Sequence, residues 1–533
     1  MHWSDVVAQR LAQSGERHII ASGITPSGEF HIGHLREILT GDMIVRAARK
    51  IGLDAELVFI IDNADPLRKV YPFLSPEYHQ FIGHQLQSIP APDEQGNPNW
   101  KRFHEEGWSY GDHFLEPFME ALTQIGVHPR LLRNLEAYRT GKFAEASRLA
   151  CDSPHILREI IERISGRELD ESWFPWQPLD SKGSLDGVSI TNYAYPLVHW
   201  RDKHGVEGVS DITKGEGKLP WRLDWAARWG FHSITCEPFG KDHGAAGGSY
   251  DTGIEIARFF GHEPPEPLMY EWISLRGQGQ MHSSTGNTIG PIEALQLVPP
   301  EILRFLIANS KPNKPIEFDT GMGLVNLADE FERWSIRHLE QEMQDKSLSR
   351  RQMVQLEDMA AALSLAAISP EQTAGSAFVS FRHLALLAQI KSSDEEVWES
   401  LQQTHGLEQP NEQLQDRLKR MRFWIDSSHF PSELRVSILD APKPSALQAL
   451  SAQQKDIVKI MESHIKSVPW TAEGITSALK NASVECGAEM KDVYRAAYSV
   501  FMGEENGPRL GPILAHCEQS KMIELLAQCA QLV

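Results

Sequence analysis

The sequence has few cysteines and no long hydrophobic stretch. Its five cysteines are widely spaced along 533 residues and form no Cys-x-x-Cys pair, which excludes a disulfide framework and a zinc finger. Cys151 with His155, and His516 with Cys517, come closest to metal-ligand spacing, and we predict neither a metal site nor protein-bound zinc. No apolar run approaches the ~20 residues that cross a bilayer, and no signal-peptide pattern follows Met1. We therefore predict a cytoplasmic protein without a membrane partner.

Positive charge is also scarce. The chain has 52 Lys and Arg residues against 72 Asp and Glu residues, and its net charge of −20 argues against a sequence-blind nucleic-acid coat. The charge is still compatible with a local basic surface. One stretch alternates guanidinium and aromatic groups as a base-stacking surface requires, and it contains Arg417, Lys419, Arg420, Arg422 and Trp424. A solvated helix face with a core-facing aromatic pair explains the same pattern equally well.

The length and the apolar pattern predict two domains. Chains longer than about 250 to 300 residues usually divide, and the pattern here changes near residue 320. Strand-like runs occupy 18–21, 55–61 and 233–238. Helical patterns separate these runs, so we predict α/β architecture with a parallel sheet, and an insertion at about 66–180 that includes a helix at 110–125. Apolar residues at helical spacing predict an all-α second domain over 321–533.

The stretch SGITPSGEFHIGHLRE at 22–37 places two histidines at the junction of a strand and a helix. His31 and His34 fall in the first helical turn, where free backbone N–H groups and the helix dipole favour an anion. Gly33 leaves room for a flat base to approach the backbone. Imidazole donors there can stabilise charge that builds on a phosphate during displacement at phosphorus. A cap or core role is the plain alternative for each histidine.

Two further stretches carry candidate ligand contacts. The run Gly240–His243 follows a predicted strand, and the ends of strands in open α/β sheets are where ligands bind. Asp242 and His243 are therefore candidate ligand contacts, and Lys241 is a candidate phosphate contact. The glycine-rich stretch SLRGQGQMHSSTGNTIGP at 274–291 offers hydroxyl and amide groups to a polyphosphate, with an ordinary surface loop as the alternative.

These three stretches, in this order, resemble the signature motifs of class I aminoacyl-tRNA synthetases, and the closer similarity is to class I lysyl-tRNA synthetases. The similarity also rests on the stretches VYPFLSPEY, GKLPWRLDWAARW, EPFGKDHGAAGGSYDTG, PPEILRFLIANSKPNKPIEFD and GPRLGPIL. It implies a Rossmann-like catalytic domain over 1–320 and an anticodon-binding helical domain over 321–533. The implied substrates are L-lysine, tRNA(Lys) and ATP, with Mg²⁺ accompanying ATP, and we expect a monomer.

The resemblance also implies roles for individual residues. The implied catalytic and ATP-binding residues are His31, His34, Lys241, Gly33, Ser283, Ser284 and Asn287, the last three in a mobile loop. The implied amino-acid-binding residues are Gly23, Thr25, Trp221, Asp242, His243 and Glu271. A lysine ammonium in a pocket requires an acidic or aromatic partner, and Glu271, Asp224 and Asp242 are the alternatives for the carboxylate.

The loop departs from the family pattern at two positions. Gln280 and Thr285 stand where the family usually has lysines, so two cations that would meet developing phosphate charge are absent. Losing one such contact costs about 10² to 10³ in rate. We expect Arg276 and Lys241 to substitute for them. The alternatives are a non-catalytic tRNA-binding relative and a synthetase for another amino acid such as glutamate, whereas a small nucleotidyltransferase would leave the helical half without a role.

Overall fold

Strands and helices alternate in the first part of the chain, and helices follow. The computed structural model describes residues 1–276, 279–280, 288–368, 379–407 and 409–533. The strands in these ranges are β1 (Arg17–Ile24), β2 (Asp54–Ile61), β3 (Arg130–Arg133), β4 (Gln177–Pro178), β5 (Val188–Ala194), β6 (Leu197–Asp202), β7 (Glu207–Asp211), β8 (Gly217–Lys218), β9 (Cys236–Gly240), β10 (Glu266–Tyr270), β11 (Ile273–Leu275), β12 (Gly279–Gln280) and β13 (Ile316–Phe318).

The α-helices of the described residues fall into two series. Up to residue 366 they are α1 (Trp3–Leu11), α2 (Ile32–Lys50), α3 (Trp100–Glu106), α4 (Tyr110–Gln124), α5 (Asn134–Arg139), α6 (Ala144–Asp152), α7 (Pro154–Ser165), α8 (Trp221–Phe231), α9 (Ser249–Phe259), α10 (Pro291–Leu297), α11 (Pro300–Ala308), α12 (Met322–Ser335), α13 (Leu339–Glu342) and α14 (Arg350–Ala366). Beyond it they are α15 (Phe381–Ile390), α16 (Asp394–His405), α17 (Glu412–Asp426), α18 (Pro444–Gln448), α19 (Ala452–Lys466), α20 (Ala472–Cys486), α21 (Met490–Phe501), α22 (Leu510–Ala515) and α23 (Gln519–Leu532).

A five-stranded parallel sheet forms the core of the first part. Its strand order is β10-β9-β1-β2-β3, so the chain winds outward from β1 to β3 and then crosses over to β9 and β10. This doubly wound order has its switch point between β1 and β9, where ligands bind at the carboxyl ends of the strands. The Rossmann-like α/β prediction is therefore confirmed, and the switch point lies between the two strands that precede His31 and Lys241.

The chain divides into two compact units. Unit 1 consists of Met1–Leu295, Pro300–Asp319 and Arg337–Gln372, and unit 2 of Gln296–Pro299, Thr320–Ile336 and Thr373–Val533. In unit 1, α14 packs against α11, and the buried Arg304 side chain donates from its Nε to the carbonyl of Leu365 at 2.9 Å. The helix at 350–366 thus belongs to the same compact unit as the sheet.

The core of unit 1 gathers around the sheet and α8. Its fully buried aromatic residues include Trp176, Trp229 and Tyr138, packed with apolar residues of β1, β2 and α9. Unit 2 has a separate core built by α19, α20, α21 and α23, whose buried apolar faces repeat at helical spacing. From Thr320 to Val533 the described residues form helices and no strand, which confirms the helical prediction for this part.

Two predicted segments differ from the structure. The strand expected at 233–238 begins only at Cys236, because Ser233 has a positive φ of 55° just after α8 and extended structure cannot start there. The segment at about 66–180 is not wholly an insertion, since Arg130–Arg133 pairs in parallel with β2 as the edge strand of the main sheet. The predicted helix at 110–125 is observed as α4.

Candidate functional site

The two histidines cap the N-terminus of α2 through hydrogen bonds to backbone N–H groups. His31 is the N-cap residue, and its Nδ1 accepts the backbone N–H of Gly33 at 3.1 Å. The backbone N–H of His31 in turn donates to Nδ1 of His34 at 3.0 Å, and the two rings lie 4.0 Å apart. The backbone N–H donors favour the tautomer with the proton on Nε2, whereas the His31 carbonyl, 3.2 Å from Nδ1 of His34, favours the other tautomer of that ring.

Burial keeps His34 uncharged at neutral pH. Removal from water lowers its pKa to about 4, and the nearby His31 carbonyl opposes this shift only partly. A neutral ring with its proton on Nε2 is a hydrogen-bond donor that needs no charge. The first turn of α2 thus adds an imidazole donor to the backbone N–H groups and dipole that already favour a phosphate.

The segment after β9 carries a lysine held between an acid and an aromatic ring. Lys241 Nζ lies 2.6 Å from Glu271 Oε2 and 4.5 Å from the centre of the Trp272 ring. The backbone N–H of Lys241 donates to the Tyr270 carbonyl at 3.0 Å, which fixes its position at the end of the sheet. A Cβ atom at Gly240 would come within 2.6 Å of Asp242 Oδ1, so a larger residue there would displace the Asp242 carboxylate.

Aromatic rings line the start of α8 beside this segment. The His243 ring stacks on Trp221 with ring centres 5.2 Å apart and an interplanar angle of 29°, and Trp221 stacks on Trp225 at 5.1 Å. The buried Glu237 accepts the indole N–H groups of Trp225 at 3.0 Å and Trp229 at 2.6 Å. The indoles of Trp225 and Trp229 are therefore held by Glu237, while Trp221 and His243 are partly exposed.

The end of β1 lies against a buried network of ion pairs. A Cβ atom at Gly23 would lie 3.2 Å from Arg228 Nη2, so a larger residue would crowd this guanidinium. Arg228 pairs with Asp62, and burial raises the pKa of that carboxyl to about 6 although the arginine opposes the shift. Thr25 Oγ1 donates to Asp65 Oδ2 at 3.1 Å, and Asp65 also pairs with the buried Lys218.

The three alternative carboxylates differ in their surroundings. Asp224 is 1 % exposed, and it accepts hydrogen bonds from Tyr138 at 2.7 Å and from Asn134 at 3.1 and 3.2 Å. Protein donors thus already engage its oxygens. Glu271 pairs with Lys241, while the Asp242 side chain is 53 % exposed and lies 3.7 Å from His243 Nε2. Glu271 and Asp242 are the two that a ligand can reach.

Sequence reasoning missed a carboxylate that ties these parts together. Glu37 on α2 accepts hydrogen bonds from Ser22 and Gly23 at the end of β1 and from Tyr270 at the end of β10. Its position three residues after His34 is the only local signal, because Tyr270 lies 233 residues away along the chain.

Comparison with known proteins identifies the family. Residues 1–359 match the family model of the class I (K) tRNA synthetases. The chain belongs to this family. The lysine–tRNA ligase of Thermoplasma acidophilum is 36% identical over 516 residues, which are 96% of each chain. The corresponding proteins of Thermoplasma volcanium and Archaeoglobus fulgidus are 37% and 36% identical, again over 96% of each chain.

The predicted phosphate loop of this synthetase lies outside the described residues. Ser283, Ser284 and Asn287 fall in the range 281–287, as does Thr285, and only the backbone pairing of Gln280 with Ser274 is described. The Arg276 side chain, proposed as a substitute cation, pairs with Asp319. Their parts in ATP binding stay predictions.

The helix α17 of the synthetase corrects part of the predicted nucleic-acid surface. Trp424 is fully buried and donates its indole N–H to the Thr320 carbonyl at 2.8 Å, and Arg417, 3 % exposed, lies 3.3 Å from Glu332. Neither side chain can stack on a base, because helical periodicity turns both toward the core. Lys419 is exposed, whereas Arg420 and Arg422 pair with acidic neighbours.

The described residues form neither a metal site nor a membrane-spanning helix. In the parts of the synthetase that the structure describes, no group of three or more His, Cys, Asp or Glu side chains has an arrangement that could hold a metal ion. Among the same residues, no helix combines the length and the apolar character that a membrane span requires.

Proposed function

We propose that this chain activates L-lysine with ATP and transfers the lysyl group to tRNA(Lys). Family membership and the names of relatives that match over nearly the whole chain support this proposal. The structural observation that carries it is the position of His31 and Lys241 after neighbouring strands of the sheet, on the two sides of its switch point. A ligand bound there meets both groups.

The proposed first step is a displacement at phosphorus. A carboxylate oxygen of lysine attacks the α-phosphorus of ATP, and the bond to the β-phosphate bridging oxygen breaks, so that lysyl-adenylate and pyrophosphate form. His31 and His34 donate from Nε2 to phosphate oxygens as negative charge shifts onto them. Alignment and charge stabilisation suffice for this transfer, and no side chain acts as a nucleophile. Mg²⁺ enters with ATP as part of the substrate.

Lys241 is the proposed cation for the phosphate groups. The Lys241 side chain is 40 % exposed and its ammonium is balanced by Glu271, which is itself partly exposed, so the lysine can turn toward a phosphate without leaving a fully buried charge behind. The incoming lysine ammonium then has Glu271 and Asp242 as candidate acceptors, with the Trp221 and His243 rings as walls. Gly23 and Thr25 border this pocket at the end of β1.

In the second step a ribose hydroxyl at the 3′ end of tRNA(Lys) attacks the lysyl carbonyl, and AMP leaves. We propose that the helical unit contacts this tRNA at a second place. The contact surface is the rim of a cavity of about 1040 Å³ between α20, α21 and the start of α22. Lys480, Lys491 and Arg509 line it as exposed cations, and Tyr494 offers a partly exposed ring for stacking. We propose further that the enzyme works as a cytoplasmic monomer.

Lysine-dependent exchange of labelled pyrophosphate into ATP tests this function. The purified chain is assayed with lysine, glutamate and arginine in turn, each with and without tRNA. We expect exchange with lysine alone among the three amino acids, since the pocket is lined by carboxylates and aromatic rings. Absence of exchange with every amino acid, even with tRNA present, would refute the proposal and leave a non-catalytic tRNA-binding relative.

A further inference from the structure

A second polar pocket lies at the carboxyl end of the edge strand β3. Its volume is about 270 Å³, and it is lined by residues from the segment after β2, the first turn of α4, the end of β3 and the helix α5. In the sheet β2 separates β3 from β1, and none of the described residues assigned to lysine or ATP lines this pocket. The pocket is therefore distinct from the site at the switch point.

The guanidinium of Arg133 is held in place at this pocket. Its Nη1 lies 2.8 Å from Asp112 Oδ1 and donates to Gln87 Oε1 at 3.2 Å. Gln87 is itself fixed, since its Nε2 donates to Asp112 Oδ2 at 2.8 Å and its Oε1 accepts from the buried Asn63 at 2.9 Å. Among the described residues no hydrogen bond engages Nε or Nη2 of Arg133, and its side chain is 32 % exposed. These two donors can meet a ligand oxygen.

Two further charged groups line the same pocket. Arg139, at the end of α5, is exposed and forms no ion pair with a described residue, and the exposed Glu136 forms none either. With Arg133 and Asp112 they balance two positive charges against two negative charges. Guanidinium groups suit a phosphodiester, which carries a single charge, and a carboxylate accepts a ribose hydroxyl. The lining therefore fits a ribose-phosphate unit better than a free polyphosphate.

A pair of stacked aromatic rings lies beside the turn that precedes the histidine pair. The rings of Tyr71 and Phe73 are 5.4 Å apart with an interplanar angle of 7°, and Lys69 Nζ lies 5.0 Å from the centre of the Tyr71 ring. A Cβ atom at Gly28 would lie 3.7 Å from the Phe73 ring and 3.9 Å from the Tyr71 ring. Both rings are partly exposed and Lys69 is exposed. Aromatic rings next to a cation are the features on which unpaired bases stack.

The helix α4 supports both the pocket and the rings. Asp112, in its first turn, holds the pocket arginine, and the Phe114 ring lies 5.5 Å from the Phe73 ring. Between them in the chain, Tyr110 donates its hydroxyl to the Ser27 carbonyl at 2.8 Å, which ties the helix to the turn before His31. A common support beside this turn suits a chain of linked nucleotides better than one free nucleotide.

We propose that this pocket and the Tyr71 and Phe73 rings bind the unpaired nucleotides at the 3′ end of the tRNA. Arg133 and Arg139 contact a phosphodiester, Glu136 accepts a ribose hydroxyl, and the rings stack a base. The proposal rests on the proposed function, because it concerns the route by which the same tRNA reaches the site. A free nucleotide has the same chemistry, so the test separates these two sources.

Filter binding compares intact tRNA(Lys) with the same tRNA lacking its unpaired 3′ nucleotides. We expect wild type to bind the intact form more tightly. Arg139→Ala should weaken binding of the intact form about fivefold and reduce its salt dependence by about one counterion, with a change below about twofold for the shortened form. Arg133→Lys keeps the charge but loses the fixed guanidinium donors, so it should act in the same direction.

The rings are tested in the same assay. Tyr71→Leu keeps an apolar side chain but removes the stacking surface, and it should weaken binding of the intact form about fivefold or more. Tyr71→Phe keeps the ring and should stay within about twofold of wild type. If Tyr71→Phe is as harmful as Tyr71→Leu, the hydroxyl near Ser27 matters and stacking is refuted.

Lys50→Ala is the matched control for the loss of one charge. Lys50 is exposed at the end of α2, which starts at the carboxyl edge of the sheet and ends before β2 begins, so it lies at the opposite edge. Its loss should change binding of either tRNA less than about twofold. The proposal is overturned if Arg139→Ala weakens both tRNA forms equally or has no more effect than Lys50→Ala. A raised KM for ATP in Arg139→Ala with unchanged tRNA binding would assign the pocket to a free nucleotide and also overturn it.

The binding assay separates this proposal from the proposed function. If wild type shows no pyrophosphate exchange with any amino acid, the proposed function fails, and the comparison of intact and shortened tRNA still applies. Weaker binding of the intact form alone in Arg139→Ala and Tyr71→Leu would support the proposal. A wild-type protein that binds both forms equally, or binds neither, would refute it even if the enzyme is active.

Discussion

At the scale of single residues, His34 combines a structural bond with a chemical one. Its Nδ1 accepts the His31 backbone N–H, which completes the capping box of α2, and in the proposed mechanism its Nε2 donates to a phosphate. The same side chain therefore contributes to helix stability and to the proposed catalysis. Substitutions that differ in which bond they keep can separate the two contributions.

We expect His34→Ala to lower lysine-dependent pyrophosphate exchange by about 10² to 10³, because the phosphate donor is lost. It should also cost about 1 kcal/mol of folding free energy through the lost cap. His34→Asn can still accept the His31 N–H through its short side chain, so it should regain most of the stability but not the rate. Binding of tRNA in a filter assay should stay within about twofold for both.

If tRNA binding falls together with exchange in both variants, the histidines support the fold and not the chemistry. Denaturant unfolding of the same proteins, measured alongside, shows whether the cap has been restored in His34→Asn.

Local pattern placed the candidate site residues at the ends of strands, whereas the contacts that support them came only from the structure. His31, His34 and Lys241 stand next to recognisable strand–helix junctions, so local pattern was sufficient to select them. Glu37 and Lys218 contact partners far along the chain, Tyr270 and Asp65, and no local pattern encodes these tertiary contacts. The sequence also left open which carboxylate would bind the ammonium of the substrate lysine. Only the structure distinguishes the buried Asp224 from the accessible Glu271.

At the scale of elements, the sequence predicted long and strongly patterned segments. The strand–helix pattern at 22–37 placed the start of α2 at the histidine pair, and the apolar run at 55–61 placed β2 within one residue of its observed bounds. The sequence pattern did not predict β3, because this strand has only four residues and a charged residue at each end, Arg130 and Arg133. Its extended conformation comes from pairing with β2. On α17 the alternation of basic and aromatic residues fitted both a base-stacking surface and a solvated helix face with core-facing aromatic residues. The burial of Trp424 supports the second interpretation.

The tRNA surface is best tested by comparing helices of unit 2. Lys480 on α20 and Lys491 on α21 line the proposed cavity, whereas the exposed Lys419 on α17 does not. We expect Lys480→Ala combined with Lys491→Ala to weaken tRNA binding about tenfold and to reduce its salt dependence by about one to two counterions. Lys419→Ala, the matched control, should change binding less than about twofold. Filter binding at several salt concentrations measures both.

If Lys419→Ala weakens tRNA binding more than the double variant does, the tRNA-binding surface lies on α17 instead. Exchange without tRNA should not distinguish these variants, because neither lies in unit 1.

At the scale of the whole molecule, the shifted pKa values of buried side chains predict that folding stability decreases in acid. Burial lowers the pKa values of His34, His232 and His383 to about 4, below the usual 6.5. The unfolded chain therefore binds more protons at these residues, and their stabilising contribution is lost as the pH falls from about 6.5 to 4. Glu37 and Asp62, with pKa values raised to about 7 and 6, act in the opposite sense.

The histidines outnumber these carboxyls, since burial also lowers the pKa values of His2, His113, His262 and His516. We therefore expect the midpoint of urea unfolding to fall between pH 7 and pH 5. His383→Gln removes one titrating ring and should make this fall shallower. A midpoint that rises toward pH 5 would mean that the buried carboxyls dominate.

The stack of His243 on Trp221 gives the proposed pocket an optical signal of its own. A ligand that slides against this indole changes the polarity around it, and the intrinsic emission changes with it. The other thirteen of the chain's 14 tryptophans, among them Trp225 and Trp229 held by Glu237, contribute the background emission. Occupancy of the pocket can thus be followed in real time as a fluorescence change, before any phosphate bond is broken.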